Sequence, residues 1–187
     1  MHEKQGGAAL RLYREALGIW TQLAGRNPRH LGDQMSLGRA LLETGDAAGA
    51  WRELEAGRAI YDRLAELDPR EVRGRTLRAA NLVFAARAQV ALGNSEKAAS
   101  LAGEALAERE RLSAENPANA GAFGEVAEAH EMLGEVRQAQ RSATAARMEW
   151  RRAREMYIHL GNEKKLNAAD REALERIEAK LGKTAPR

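Results

Sequence analysis

The sequence predicts an all-α protein: a row of antiparallel helix hairpins, about seven repeat helices in all, closed by a C-terminal capping helix. Three observations carry this. The chain has 187 residues, 44% of them hydrophobic but only 4% aromatic. Alanine makes up much of that apolar share, and it is the best intrinsic helix former. Charged residues reach 30%, with 30 basic against 27 acidic, interspersed along the chain. That pattern suits solvated helix faces rather than a disordered polyelectrolyte. The third observation is punctuation by proline and glycine that recurs at long, similar intervals.

Pro28, Pro69 and Pro117 each follow an Asn or Asp, namely Asn27, Asp68 and Asn116. A side-chain oxygen at the N-cap with proline at the first helical position is a helix-start signal. The second interval between these prolines exceeds the first by about two helical turns. Gly45, Gly93 and Gly134 follow the apolar stretches Leu41–Thr44, Val90–Leu92 and Met132–Leu133 and read as left-handed helix stops. Small residues keep phase with these glycines. Five positions after them stand Ala50, Ala98 and Ala139; twelve after, Gly57, Ala105 and Ala146; seven before, Gly38, Ala86 and Ala127. Two helices joined by a tight turn approach closely only over small side chains.

The elements follow in order. Residues 8–26 are a lone helix, with residues 1–7 flexible before it. Ala9, Tyr13, Ala16, Trp20 and Leu23 lie on one face of it, as Ala50, Leu54, Gly57, Tyr61 and Leu64 do in the next hairpin. Residues 28–44 and 47–67, 69–92 and 95–115, and 117–133 and 136–160 form three hairpins. Residues 161–181 are a polar break and the capping helix, placed at 168–181, with Leu166, Leu174, Ile177 and Leu181 as its apolar face and Asp170 and Glu172 favourably placed in its first turn. Residues 182–187 are expected to fray. The array begins with half a unit, leaving Leu10, Tyr13, Leu17 and Trp20 partly covered. Three expectations stay open: the chain is a piece of something larger, this face forms a homodimer, or the helix is a cap.

Leu37-Gly38, Gly45-Asp46, Ala50 and Gly57, with proline after the second helix, resemble the tetratricopeptide repeat (TPR) over residues 8–160. The units here are longer than the usual ~34 residues. The resemblance implies a TPR-like solenoid that serves as a non-catalytic protein–protein interaction scaffold. The long units, including Arg111-Leu112-Ser113-Ala114-Glu115-Asn116-Pro117, are also similar to the C-terminal arrays of bacterial Ser/Thr kinases and related signalling proteins. That similarity implies an alternative, a detached regulatory region of a larger signalling enzyme.

Chemistry is thin in the sequence. There is no cysteine, so no thiolate metal site and no cysteine nucleophile. His2, His30, His130 and His159 show no metal-ligand spacing, and no Gly-rich phosphate loop or serine elbow occurs. No enzyme activity, cofactor or metal is expected. No window approaches the ~20 apolar residues of a spanning helix, and Met1–Gly7 lacks the apolar core of a signal peptide, so no membrane insertion and a cytoplasmic location are expected. The net charge is +3, but the arginines are spread among carboxylates and not interleaved with aromatics, which makes RNA the less favoured partner.

A protein or peptide partner is expected instead, on a groove lined by the first helix of each hairpin. Counting from the turns gives Met35, Arg39 and Leu42, then Val83, Arg87 and Val90, then Glu125, Glu128 and Glu131. The groove would run from basic–apolar to acidic, its acidic end fitted to a basic partner. Some TPR proteins hold a peptide carboxylate with Lys, Asn and Arg. Arg39 and Arg87 match such positions, but the Asn and Lys do not, and that specificity is not carried over.

Overall fold

The computed structural model describes residues 33–183, and there is no strand among them. Seven helices follow: α1 Asp33–Glu43, α2 Ala47–Leu67, α3 Val72–Ala91, α4 Ser95–Glu115, α5 Ala120–Ala139, α6 Ala143–Asn162 and α7 Ala168–Lys183. The expected helix at 8–26, its apolar face with the homodimer it suggests, His2, His30 and residues 184–187 lie outside the described residues.

The helices fall into two compact units, divided after Leu92. In the N-terminal unit α2 packs on both α1 and α3, and α1 touches α3. In the C-terminal unit α5 packs on α4 and α6, and α7 closes the series against α6 with a lighter contact to α5.

Helix boundaries obey a single frame. First helices begin at Val72, Ala120 and Ala168, and second helices at Ala47, Ser95 and Ala143, with the same step throughout. This corrects the reading of the third hairpin. The sequence placed its turn at Gly134, yet α5 runs through Gly134 to Ala139, and the turn is Gln140-Arg141-Ser142. Arg141 takes φ +60°, where Gly45 and Gly93 take +87° and +80°. Gly45 and Asp46 donate to the carbonyls of Leu42 and Leu41, and Arg141 and Ser142 donate to those of Gln138 and Arg137. These are the crossed bonds of a Schellman-type stop, made at the third turn by a residue that favours the left-handed region far less than glycine.

Gly134 has a different task. A Cβ built on it would fall inside the Trp150 indole. In the N-terminal unit a Cβ on Gly38 would lie 2.5 Å from Leu54 Cγ. The two glycines hold the same place in the frame, two steps apart, and each lets a large side chain of the second helix reach the backbone of the first.

The frame also aligns the core. Ala50, Ala98 and Ala146 are fully covered, as are Leu54, Ala102 and Trp150 one helical turn on, and then Tyr61, Arg109 and Tyr157. Ala139, expected at the first of these crossings, is exposed.

The prolines also sit differently from the expectation. Pro69 and Pro117 lie in turns before the helices, not at their first position. Glu71 and Asn119 are the caps: the Glu71 carboxylate accepts from Arg73 and Gly74, and Asn119 Oδ1 accepts from Ala122 at 3.2 Å. Asp170 N–H donates to Asn167 Oδ1 at 2.9 Å, and Asn167 N–H to Asp170 Oδ2 at 3.3 Å, the reciprocal pair that starts α7. α7 runs past its expected end to Lys183, and α6 extends through Gly161 to Asn162. Ile177 is fully buried, Ala173 nearly so, and Leu166, Leu174 and Leu181 pack partly buried against the same cluster as Trp150 and Tyr157.

Candidate binding surface

In the N-terminal unit α1 and α3 lie close together, and their side chains meet over one aromatic ring. The Arg39 guanidinium stands 5.7 Å from the centroid of Phe84, and that of Arg87 stands 6.0 Å from it. Arg39 is exposed, while Phe84 and Arg87 are half-buried. Each cation–π contact contributes about 0.5–1 kcal/mol at such exposure. Met35, Leu42 and Val90 are half-buried. Val83, expected to be exposed, is 1% exposed and belongs to the core. Phe84 was not among the expected residues. Its signal was faint: one of two phenylalanines in the chain, a single helical turn before an expected arginine.

The C-terminal unit carries the acidic set, largely engaged already. Glu131, expected to face a partner, is 1% exposed. Arg176 Nη2 reaches its carboxylate at 3.2 Å and Arg176 Nε at 3.3 Å, while Lys180 Nζ stands 3.2 Å from it. Lys180 also bonds Glu135 at 2.7 Å and lies 5.6 Å from the Trp150 ring. Burial would lower the Arg176 pKa, but its hydrogen bonds and charge attraction to Glu131 leave it above its ordinary value. The capping helix therefore occupies the acidic stretch. The displaced turn shifted the expected set by seven positions, but Glu131 keeps the frame place of Met35 and Val83, and its burial follows from the α7 side chains that close over it.

Glu128 is half-exposed and ties inward to Arg109, whose Nη2 lies 2.7 Å from its Oε2. Arg109 is itself 2% exposed, at the frame position filled by Tyr61 and Tyr157, and its Nη1 donates to the Glu125 carbonyl at 2.6 Å. A buried guanidinium requires such partners. Burial raises the Glu125 pKa, Arg109 opposes that rise and Glu128 adds to it. His130 is satisfied by Glu149, with Nδ1 and Oε2 2.8 Å apart, and Glu149 also takes Arg152 at 3.1 Å.

Beside these, a cleft of about 470 Å³ opens in the C-terminal unit over Phe123, Val126, Met156 and Leu160. His159 stacks tilted on Phe123 at its edge. Among the described residues no group of three or more His, Cys, Asp or Glu stands together to hold a metal, and no helix is long and apolar enough to cross a membrane. No protein-family model matches the chain, and no curated protein is detectably similar to it.

Proposed function

We propose that this chain is a non-catalytic interaction module of the TPR kind, which binds a protein or peptide partner through its first helices. Its anchor is the Arg39–Phe84–Arg87 cluster, and the partner segment it fits is acidic. The observation that carries this reading is the meeting of two guanidiniums from separate first helices over one ring. A guanidinium carries its N–H donors in a planar fork that pairs bidentately with carboxylates, and Arg39 is exposed. Half-buried Leu42 and Val90 on the same two helices supply apolar contact for a partner's non-polar side chains. Glu128, Glu131 and Glu135 of α5 are left out of the reading because Arg109, Arg176 and Lys180 already pair with them.

The test is fluorescence anisotropy with a labelled glutamate-rich peptide and a lysine-rich counterpart. The glutamate-rich peptide binds, and Arg39→Glu together with Arg87→Glu weakens it by about 100-fold, or ~2.7 kcal/mol. Unchanged affinity in that variant, with its thermal unfolding intact, excludes this face.

A further inference from the structure

The two units treat one carboxylate place differently. On α2 the Asp62 carboxylate is held by two arginines. Arg78 of α3 reaches it with Nε at 2.6 Å, and Arg58 of its own helix with Nε at 3.4 Å. In the repeat frame the place of Asp62 passes to Glu110 on α4, so the carboxylate is kept. The places of Arg58 and Arg78 pass to Leu106 and Val126, so both of its counter-charges are lost. Arg75, one turn before Arg78, gives way to Phe123. The repeat does not demand an aromatic there, since α7 also has an arginine, Arg171, at that place.

These changes coincide with the cleft of about 470 Å³ in the C-terminal unit. Its volume falls in the range of about 300–1,000 Å³ typical of binding pockets. Of the residues that line it, Val126 and Leu160 are buried, Phe123 and Met156 are half-buried, and Glu110 is exposed. The other charges of the rim answer one another. Glu163 takes Lys165 at 2.9 Å and stands 3.4 Å from His159 Nε2. Glu110 has Val126 where Asp62 has its arginine. All of the lining lies within residues 110–165, on α4, α5, α6 and the turns that follow α4 and α6. The next helix of the chain, α7, is in place and leaves the cleft open.

We infer that this cleft seats a basic segment of a partner protein, one in which a large apolar side chain stands beside an arginine. The apolar side chain lies against Phe123 and Met156. The arginine brings to Glu110 the guanidinium that Arg78 brings to Asp62, in a charge-assisted pair. The Phe123 ring offers the same arginine a cation–π contact. This surface uses none of the residues of the Arg39–Phe84–Arg87 cluster and selects the opposite charge.

The probe is a short labelled peptide, Gly-Ser-Trp-Arg-Leu-Arg-Ser-Gly, titrated against the whole chain by fluorescence anisotropy. One control has glutamate for both arginines, and the other has serine for the tryptophan and the leucine. The probe binds at least about tenfold tighter than either control, equivalent to ~1.4 kcal/mol. With methyl-labelled methionine, it shifts the Met156 signal and not that of Met148, which is exposed on the same helix. Glu110→Gln weakens the probe by about tenfold and leaves the melting temperature unchanged. Phe123→Arg together with Val126→Arg installs the arginines of α3 and abolishes the Met156 shift; if that variant does not fold, Glu110→Gln decides alone. Equal binding of the probe and either control, an unmoved Met156 signal, or unchanged affinity in Glu110→Gln overturns the inference. A Met156 shift produced by tryptamine at the affinity of the probe makes the occupant a small amine and also overturns it. Light scattering that shows a dimer dissociated by the probe makes the occupant a second copy, which contradicts the stated partner.

Discussion

The first helices of the N-terminal unit place Arg39 and Arg87 on Phe84, at the surface. The last two first-type helices, in the C-terminal unit, place Glu131 and Glu135 against Arg176 and Lys180, and the central carboxylate is 1% exposed. One sequence frame thus yields two electrostatic outcomes. Where the chain supplies its own counter-charges, the face is consumed in holding the capping helix. Where like charges from two helices gather at one aromatic ring, Arg39 remains exposed. A run of charges on a helix states a sign but not a role; the role depends on which helix packs against it.

The core beneath both faces is set by the same crossings, and removing a large side chain there has the largest effect. Trp150→Ala is expected to cost about 3–5 kcal/mol, and Leu54→Ala about 2–5 kcal/mol, because both leave cavities at nearly solvent-free crossings. Urea unfolding measures both. A Trp150→Ala loss below about 1 kcal/mol would mean the indole is not the keystone of the C-terminal unit.

Glu131→Gln separates the two charge sets. It leaves two cations facing a neutral amide, and since Arg176 stays half exposed the expected cost is about 1–2 kcal/mol. Hydrogen exchange should accelerate first in α7. Arg39→Gln in the outward cluster should leave stability within about 0.5 kcal/mol. Equal losses in the two variants would erase the contrast between the faces.

The tyrosines of both units predict an alkaline limit. Burial raises Tyr61 to about 12, and Tyr157 is raised by burial first and then by Glu131, Glu128 and Asp170. A folded-state pKa above the unfolded phenol value of about 10 means the stabilisation is complete below about pH 10 and is lost as pH rises through the folded values. Tyr61→Phe should flatten the loss between about pH 10 and 12 by up to about 1.4 kcal/mol per pH unit. An unchanged slope in alkaline unfolding would contradict that.

A stabilising change is expected at the third turn. Arg141→Gly removes a non-glycine residue from φ +60° and should stabilise by about 1 kcal/mol. The gain appears as a higher urea midpoint; a lower midpoint would mean the arginine side chain contributes more than its backbone costs.

Much of the fold was legible because its signals are local. The left-handed turns at Gly45 and Gly93 and the periodic face of the capping helix each rest on a few adjacent residues, whereas the caps read at Asp68 and Asn116 belong to Glu71 and Asn119. The third turn was not legible because a shift by seven positions is nearly two helical turns, so alanines at that spacing share a face. Ala139, Ala146 and Ala153 satisfy two registers equally, and Gly134 looked like a stop while Arg141 looked like a surface residue. The remaining signal was the equal step from Gly45 to Gly93 and on to position 141. Arg39 and Arg87 were found from that spacing, whereas the burial of Glu131 depends on where α7 docks, which no local pattern states.

The repeat frame is tested most directly by placing leucine at two of its equivalent glycines and measuring urea unfolding side by side. Gly134→Leu drives a side chain into the Trp150 indole and should cost roughly 3 kcal/mol, the upper part of the range for overpacking. Gly182→Leu enters open space and should leave stability unchanged or raise it by under about 1 kcal/mol, the helix-propensity gain over glycine. Similar values for the two variants, or a neutral Gly134→Leu, would contradict the repeat frame.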